Sequence, residues 1–273
     1  MYFPGLVRKG DMVRIIVLVK DIVDLAELKI DPSTRAPKIE AVKRKISDVD
    51  KRALEASIKL KENHGGEVIT LSMGGEKTKT VMLEALAMGA DEAYIVNDDF
   101  TGVDTRGTSK ILAAAIEKIG DFDLILCGEM TLDSLSAQVG PRLAELLDLP
   151  QVTYARHLEL KDGRLRAERD LEEVDEVVEV DLPVVVSVVR EINEPRIPSL
   201  MNIMKAKRKP TVELDASALG LSIDEVRESS SIEILKVEAP LVERKRIFIE
   251  AETVEEAAEK LAEVIVAEGV LEE

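Results

Sequence analysis

The 273-residue chain has no tryptophan, one cysteine (Cys127), two histidines (His64 and His157), three tyrosines and four phenylalanines. A single cysteine excludes an internal disulfide framework and a cysteine-rich metal centre. Two scattered histidines exclude a histidine-rich one. No apolar run approaches the ~20 residues that span a bilayer, and the first residues lack the apolar core of a secretory signal. Familiar catalytic signatures are missing too. No G-x-G-x-x-G follows a strand-like run, and there is no G-x-S-x-G elbow and no H-E-x-x-H. Met73-Gly74-Gly75-Glu76-Lys77-Thr78 lacks the spacing of a phosphate-binding P-loop. Basic residues are in deficit: 37 against 54 acidic, for a net charge of −17. Nucleic acid or an anionic membrane surface is therefore not the expected partner of the whole molecule. The expectation is a cytoplasmic protein without an acid–base catalyst. Residues 1–11 read as an extension, with Met12 as the natural start.

What is present is an alternating grammar. Val13–Val19, Glu67–Met73, Ala93–Val96 and Leu124–Cys127 are short apolar runs, as in buried strands. Between them Val49–Asn63, Glu76–Met88 and Thr105–Ile119 repeat apolar residues at helical spacing. This order predicts an α/β fold with a mostly parallel sheet and helices on both faces, Rossmann-like, whose ligands gather at the carboxyl ends of the strands. After residue 150 the pattern changes. Gln151–Leu160 and Arg164–Asp170 flank an Asp162-Gly163 hairpin signal, and Glu176–Val180 and Val184–Val189 follow, so antiparallel strands are added. A linker-like tail begins near Lys209-Pro210 and ends in a helix that Thr253 and Glu256 mark with a capping box. Val254, Ala257, Ala258, Leu261, Val264 and Ile265 line one face of that helix.

The stretch Val188–Lys209 combines features that no fold needs together. A strand-like run ends in Arg190. Asn193-Glu194-Pro195-Arg196 and Pro198 then stiffen an extended segment, and Ser199 opens a short helix, Leu200–Lys207. Apolar Leu200, Met201 and Met204 lie beside the cations Lys205, Lys207, Arg208 and Lys209. By spacing alone, Leu200, Ile203 and Met204 also suit a buried helical face. The pattern R-x2-NEPR-x2-SL-x2-IMKAK resembles the β subunit of electron transfer flavoproteins. There the loop recognises partner dehydrogenases, and the leucine matching Leu200 enters a hydrophobic pocket on the partner. The resemblance implies a partner-binding surface made of Asn193, Glu194, Pro195, Arg196, Leu200, Met201 and Lys205.

A second stretch follows the strand ending at Cys127. Gly128-Glu129-Met130-Thr131-Leu132-Asp133-Ser134-Leu135-Ser136-Ala137-Gln138-Val139 leads into a predicted helix, Gln138–Leu147. Backbone N–H groups at a helix start form an anion site, although a capped helix alone explains the same residues. The resemblance assigns this stretch to the phosphates of a nucleotide, AMP in most members and FAD in electron-bifurcating ones. Three further segments are expected at the same edge: Leu18, Val19 and Lys20 after the first strand, Met73 before two glycines, and Ser47, Asp48, Val49 and Asp50 opening a helix. Ser47 with Asp50 is also an ordinary capping box. Asp104 and Thr105, at the start of another helix, are assigned to the pocket as well.

The sequence Ala137-Gln138-Val139-Gly140 is similar to the version of the loop in bifurcating members, which favours FAD over AMP. The resemblance further implies an obligate α subunit carrying a second FAD, over which the arm 211–273 packs after a nucleotide-binding domain at 12–210 with its recognition loop at 190–209. It implies NADH or a dehydrogenase as electron source, and a quinone-linked acceptor and ferredoxin as destinations, with membrane association through partner subunits only. The rival reading is a universal-stress-like adenine-nucleotide-binding module, which shares the sheet pattern but has no use for the Asn193–Arg196 loop or the arm.

Overall fold

The computed structural model describes residues 12–241 and 245–269. The expected extension at 1–11 lies outside them. In chain order the elements are β1 (Val13–Leu18), β2 (Asp21–Val23), β3 (Lys29–Ile30), β4 (Pro37–Lys38), β5 (Arg44–Ile46), α1 (Asp48–His64), β6 (Gly66–Met73), α2 (Thr78–Met88), β7 (Glu92–Val96), α3 (Thr105–Ile119), β8 (Leu124–Gly128) and α4 (Val139–Leu146). Then follow β9 (Gln151–Lys161), β10 (Arg164–Leu171), β11 (Val174–Asp181), β12 (Val184–Val188), α5 (Leu200–Ala206), β13 (Thr211–Leu214), α6 (Ile223–Glu228) and α7 (Val254–Ala267).

One nine-stranded sheet carries the molecule, in the order β11-β10-β9-β12-β8-β1-β6-β7-β13. Every pairing from β9 to β13 is parallel, and β10 and β11 add antiparallel partners at one end. The central strands read as unbroken apolar runs because both faces are covered. Along β1, Ile15 and Val17 enter a core with Ala53, Leu54 and Ile58 of α1 and with Val81, Met82 and Ala85 of α2. Ile16 and Leu18, pointing the other way, join Ile111, Ala115 and Ile116 of α3 and Leu143 of α4. The period of two in the strand thus sorts neighbouring residues into the two helical layers. At the β9–β10 turn, Asp162 (φ 51°) and Gly163 (φ 77°) both adopt the left-handed region, the type I′ geometry that Asp-Gly favours.

The path of the chain fixes where a ligand can sit. From β1 it steps outward through β6 and β7, then crosses back through α3 to β8 on the other side of β1. The loops leaving β1 and β8 therefore diverge to opposite faces and open a crevice at this topological switch point.

The expected boundary at residue 210 is displaced. Thr211–Leu214 pairs in parallel with β7 as the ninth strand, and Ala216 and Val226 are buried. Sequence patterning missed β13 because a four-residue edge strand of alternating exposure carries almost no apolar signal. Beyond Ser231 the chain changes character. Ile234, Leu235, Leu241 and Phe248 are exposed, and α7 has no buried residue, with Val254 and Leu261 open to solvent. The Thr253 hydroxyl accepts from Glu256 N–H at 3.2 Å, while the Glu256 carboxylate reaches back to Glu252 N–H rather than to that of Thr253. Where the arm meets the α/β unit, Arg35 C=O accepts from Ala239 N–H at 2.8 Å and the Arg35 guanidinium pairs with Glu238 at 2.7 Å.

Candidate functional site

The carboxyl ends of β8, β1 and β6 lie side by side, and the first turn of α1 is drawn against them. Asp50 is the reason. Its carboxylate accepts from Gly128 N–H at the end of β8 and from Lys20 N–H just past β1, both at 2.9 Å. Two strand ends that would otherwise expose backbone donors are tied to one helix. The approach is close: a Cβ on residue 128 would lie 2.7 Å from the Asp50 carboxylate and 2.9 Å from Val49 Cβ. Only glycine fits there.

This geometry corrects the capping-box reading of Ser47 and Asp50. The Ser47 hydroxyl caps nothing; it is buried without a partner, and Ser47 N–H donates to Lys20 C=O at 2.9 Å. Asp50 turns to the strand ends because two convergent N–H groups outcompete one. The same bonds consume both backbone groups of Lys20, and Val19 N–H donates to Leu71 C=O. Leu18, Val19 and Val49 are buried and form the floor of the crevice. Asp48 is exposed beside Lys45 (3.2 Å), and Met73 packs half-buried against the α3/α4 side of the core.

Burial pushes the Asp50 carboxyl up to about 6 from 3.8, against the two N–H donors and Lys20, which act in the opposite direction. A raised carboxyl favours the protonated folded state. Its contribution is therefore complete below the unfolded value near 4 and is lost as pH rises through about 6. The gap corresponds to about 3 kcal/mol at most. In Asp50→Asn this step disappears. Melting curves of the two proteins from pH 4 to 7 are expected to show the variant gaining relative to the native chain; parallel curves would refute the assignment.

The loop from Glu129 to Gln138 is organised by side chains. Lys20 Nζ pairs with Asp133 at 2.8 Å, the Thr131 hydroxyl donates to Asp133 at 2.7 Å, and the Thr131 and Ser134 hydroxyls are 3.0 Å apart. Burial pushes the Asp133 carboxyl up, but Lys20 and Thr131 hold it below its usual range. Leu135 (φ 50°) and Ala137 (φ 51°) both occupy the left-handed region. For residues other than glycine this is strained backbone, of the kind that collects at ligand-holding loops. Leu132, Asp133, Ser134, Leu135 and Ala137 are exposed, while Glu129, Met130, Thr131, Ser136, Gln138 and Val139 are half-buried.

Helix α4 then begins without a side-chain cap, leaving the N–H groups of Val139 and Gly140 at its start. Gln138 bridges two helices. Its Oε1 accepts from the Thr105 hydroxyl at 2.7 Å and from Arg142 Nε and Nη2 at 3.2 and 3.1 Å, so its amide nitrogen is left to donate. Thr105 thus belongs to the loop's support. Asp104 does not face the crevice chemistry: it caps α3 through Arg106 and Gly107 N–H and accepts from Ser231 N–H.

Sequence reasoning missed one polar cluster. Asp21 is buried next to the end of β1, pairs with Arg44 at 2.7 Å and accepts from the Thr78 hydroxyl at 3.0 Å. It ties the β2–β5 ribbon to the start of α2. An acidic residue directly after a buried strand was the available signal.

The stretch 190–209 resolves into two faces. Leu200, Met201 and Met204 are 82, 64 and 72% exposed, and Ile197 also projects outward. Ile203 and Ala206 turn to the core, so the buried-face reading of Leu200 and Met204 does not hold. Ser199 caps α5 through Asn202 N–H. Asn193 and Arg196 of the motif turn inward. Asn193 Nδ2 donates to Arg52 C=O at 3.0 Å. The Arg196 guanidinium forks onto Glu55 (2.8 and 3.1 Å) and Glu62 (2.6 and 2.9 Å) of α1. Pro195 is half-buried, whereas Glu194 and Lys205 stay exposed. Lys209 leaves the basic cluster to donate to the Leu86 carbonyl of α2 and the Ala90 carbonyl just past it.

Among the described residues no helix is long and apolar enough to cross a membrane, and no group of His, Cys, Asp and Glu could hold a metal ion. The family model of the electron transfer flavoprotein domain matches residues 38–219. An electron transfer flavoprotein subunit beta of Thermoanaerobacterium thermosaccharolyticum is 40% identical over 91% of this chain and 96% of its own length. The Megasphaera elsdenii subunit beta is 36% identical over 94% and 99%. The caffeyl-CoA reductase-Etf complex subunit CarD of Acetobacterium woodii is 41% identical over 77% and 80%. A fold laid out around a crevice at the switch point, an uncapped helix start, an exposed apolar helix face and these matches converge, and the chain belongs to the electron transfer flavoprotein family, among its β subunits.

Proposed function

We propose that this chain is the FAD-holding β subunit of a heterodimer with an electron transfer flavoprotein α subunit, of the electron-bifurcating type. The observation that carries the reading is the loop itself. Ala137 and Val139 flank Gln138 with small or apolar side chains at an uncapped helix start, which leaves the backbone N–H groups of Val139 and Gly140 and the amide nitrogen of Gln138 as donors for an anion. A pyrophosphate fits such a donor set better than side-chain hydroxyls and amides crowding the same place would allow. The strained φ of Ala137 and the bond from Thr105 to Gln138 hold these donors in place before a ligand arrives.

A bound flavin supplies the redox chemistry. This chain's own residues bind and orient it: Gln138, Val139 and Gly140 at its phosphates, Lys20 and Asp133 fixing the loop above, and Asp50 holding the strand ends below. Electrons would come from NADH or a dehydrogenase and go to a quinone-linked acceptor and to ferredoxin. The name of the Acetobacterium relative, a subunit of a caffeyl-CoA reductase complex, supports a CoA-ester oxidoreductase as one partner. The exposed face of α5 is the surface for it, with Leu200 as the apolar anchor and Lys205, Lys207 and Arg208 steering an acidic partner. The exposed apolar side of α7 is the surface for the α subunit.

The nucleotides released by denaturing the purified α/β complex test this reading. Two FAD per heterodimer are expected; one FAD with one AMP refutes bifurcation and leaves a β subunit with a structural nucleotide. In Gln138→Ala the β-subunit nucleotide should fall several-fold, since a hydrogen bond to a charged group contributes about 1.5–3 kcal/mol. Unchanged content would remove the loop from the site.

A further inference from the structure

Helix α5 carries its apolar anchor outward and rests on α2 through few buried side chains. Of its seven residues only Ala206 is buried, with Ile203 half-buried against the core. Under it, against the C-terminal halves of α1 and α2, lies a cleft of about 220 Å³ bordered by Ile58, Leu86, Asn202 and Lys205. A helix of two turns has no stability of its own, so its placement rests on its packing against α2 and on what holds its ends. Polar braces stand at both.

The first brace precedes the helix. Glu55 is 3% exposed at its side chain in the middle of α1, and its carboxylate receives Arg196 N–H at 3.2 Å and the guanidinium at 2.8 and 3.1 Å. The same guanidinium reaches Glu62, two turns further along α1. A planar fork seated on two carboxylates fixes orientation as well as distance, which a lysine cannot do. The second brace follows the helix. Lys209 Nζ donates to Leu86 C=O at 3.0 Å and to Ala90 C=O, while Lys61 Nζ donates to Gly89 C=O at 2.9 Å. Two lysines thus occupy the carbonyl end of α2 directly behind α5.

We infer that Glu55 is a positioning residue for partner docking: acting through Arg196, and with Lys209 at the far end, it sets where α5 presents Leu200. This rests on the reading of α5 as the docking helix. The same α1 that holds Gly128 and Lys20 through Asp50 also holds the docking loop through Glu55, so both working surfaces share one frame. A buried carboxylate on a helix face is costly unless paired; its hydrogen bonds all come from the loop residue Arg196, while Lys59 on α1 stands off at 3.9 Å, which points to geometry as what it secures.

Spin labels at Thr80→Cys on α2 and Met201→Cys on α5 measure this in the full chain; Cys127 is buried and does not compete for label. The native background is expected to give one narrow distance distribution. Glu55→Gln should at least double its width, and Arg196→Lys should do the same because charge survives and the fork does not. Lys209→Met should broaden it as well. Narrow, unshifted distributions in Glu55→Gln and Arg196→Lys overturn the inference, and Arg196→Lys decides alone should Glu55→Gln not fold. The docking reading fails separately, through an unchanged KM in Leu200→Ala, and leaves these distances intact.

Discussion

Truncating Leu200 to alanine is expected to raise the KM for a partner dehydrogenase by roughly 30-fold or more, the effect of losing an interface anchor of ~2 kcal/mol. The melting temperature and the bound nucleotide should stay where they are. The reasoning is geometric. At 82% exposure the side chain contributes almost nothing to the core, so its removal leaves no cavity and strands no polar group. What it loses is burial in a partner, the one setting in which its apolar surface would leave water. Steady-state electron transfer with a purified CoA-ester dehydrogenase, alongside thermal melting, separates the two. A drop in stability with KM unchanged would place Leu200 in the fold and leave α5 without a docking role.

Arg196→Ala, four residues earlier, should give the opposite phenotype. Here the expected loss is in stability, about 3–5 kcal/mol near neutral pH, because Glu55 is left buried with its charge uncompensated. Lys59 is the nearest other cation, at 3.9 Å and half-exposed, and cannot reproduce a bidentate fork. Glu62, held below its usual range chiefly by its hydrogen bond to Arg196, would rise. That group now contributes stability above its unfolded value, which is lost as pH falls through the lowered one, so part of the native advantage over Arg196→Ala should shrink in mild acid. Denaturant unfolding at pH 7 and pH 4 reads both effects. A variant as stable as the native chain at pH 7 would show that solvent or Lys59 satisfies Glu55.

These neighbours show where residue-level reading reached and where it stopped. The motif from Asn193 to Arg196 was legible as a stiff, specific loop, since proline restricts its surroundings by local sterics alone. Arg196 nevertheless looked like a partner-facing charge, and it is a staple onto α1. A sequence does not display contacts between residues 141 positions apart; they exist only once α1 packs on the face of the sheet that holds β12. The error at Ser47 and Asp50 has the same origin. A serine three residues before an acid is a helix start by local rules, but the free N–H groups of Lys20 and Gly128 come from two other strands.

The sequence by itself determined the alternation of buried strands and amphipathic helices, the Asp-Gly hairpin and the family to which the chain belongs. Each is written in neighbours a few residues apart, where backbone sterics and periodicity act. Tertiary structure alone decided which loops meet at the switch point, why only glycine fits at 128, which way Arg196 and Leu200 face, and that Thr211–Leu214 is the edge of the sheet rather than the start of a linker. These depend on which distant groups come within hydrogen-bonding distance, and that is settled by the order of strands in the sheet, not by the order of residues in the chain.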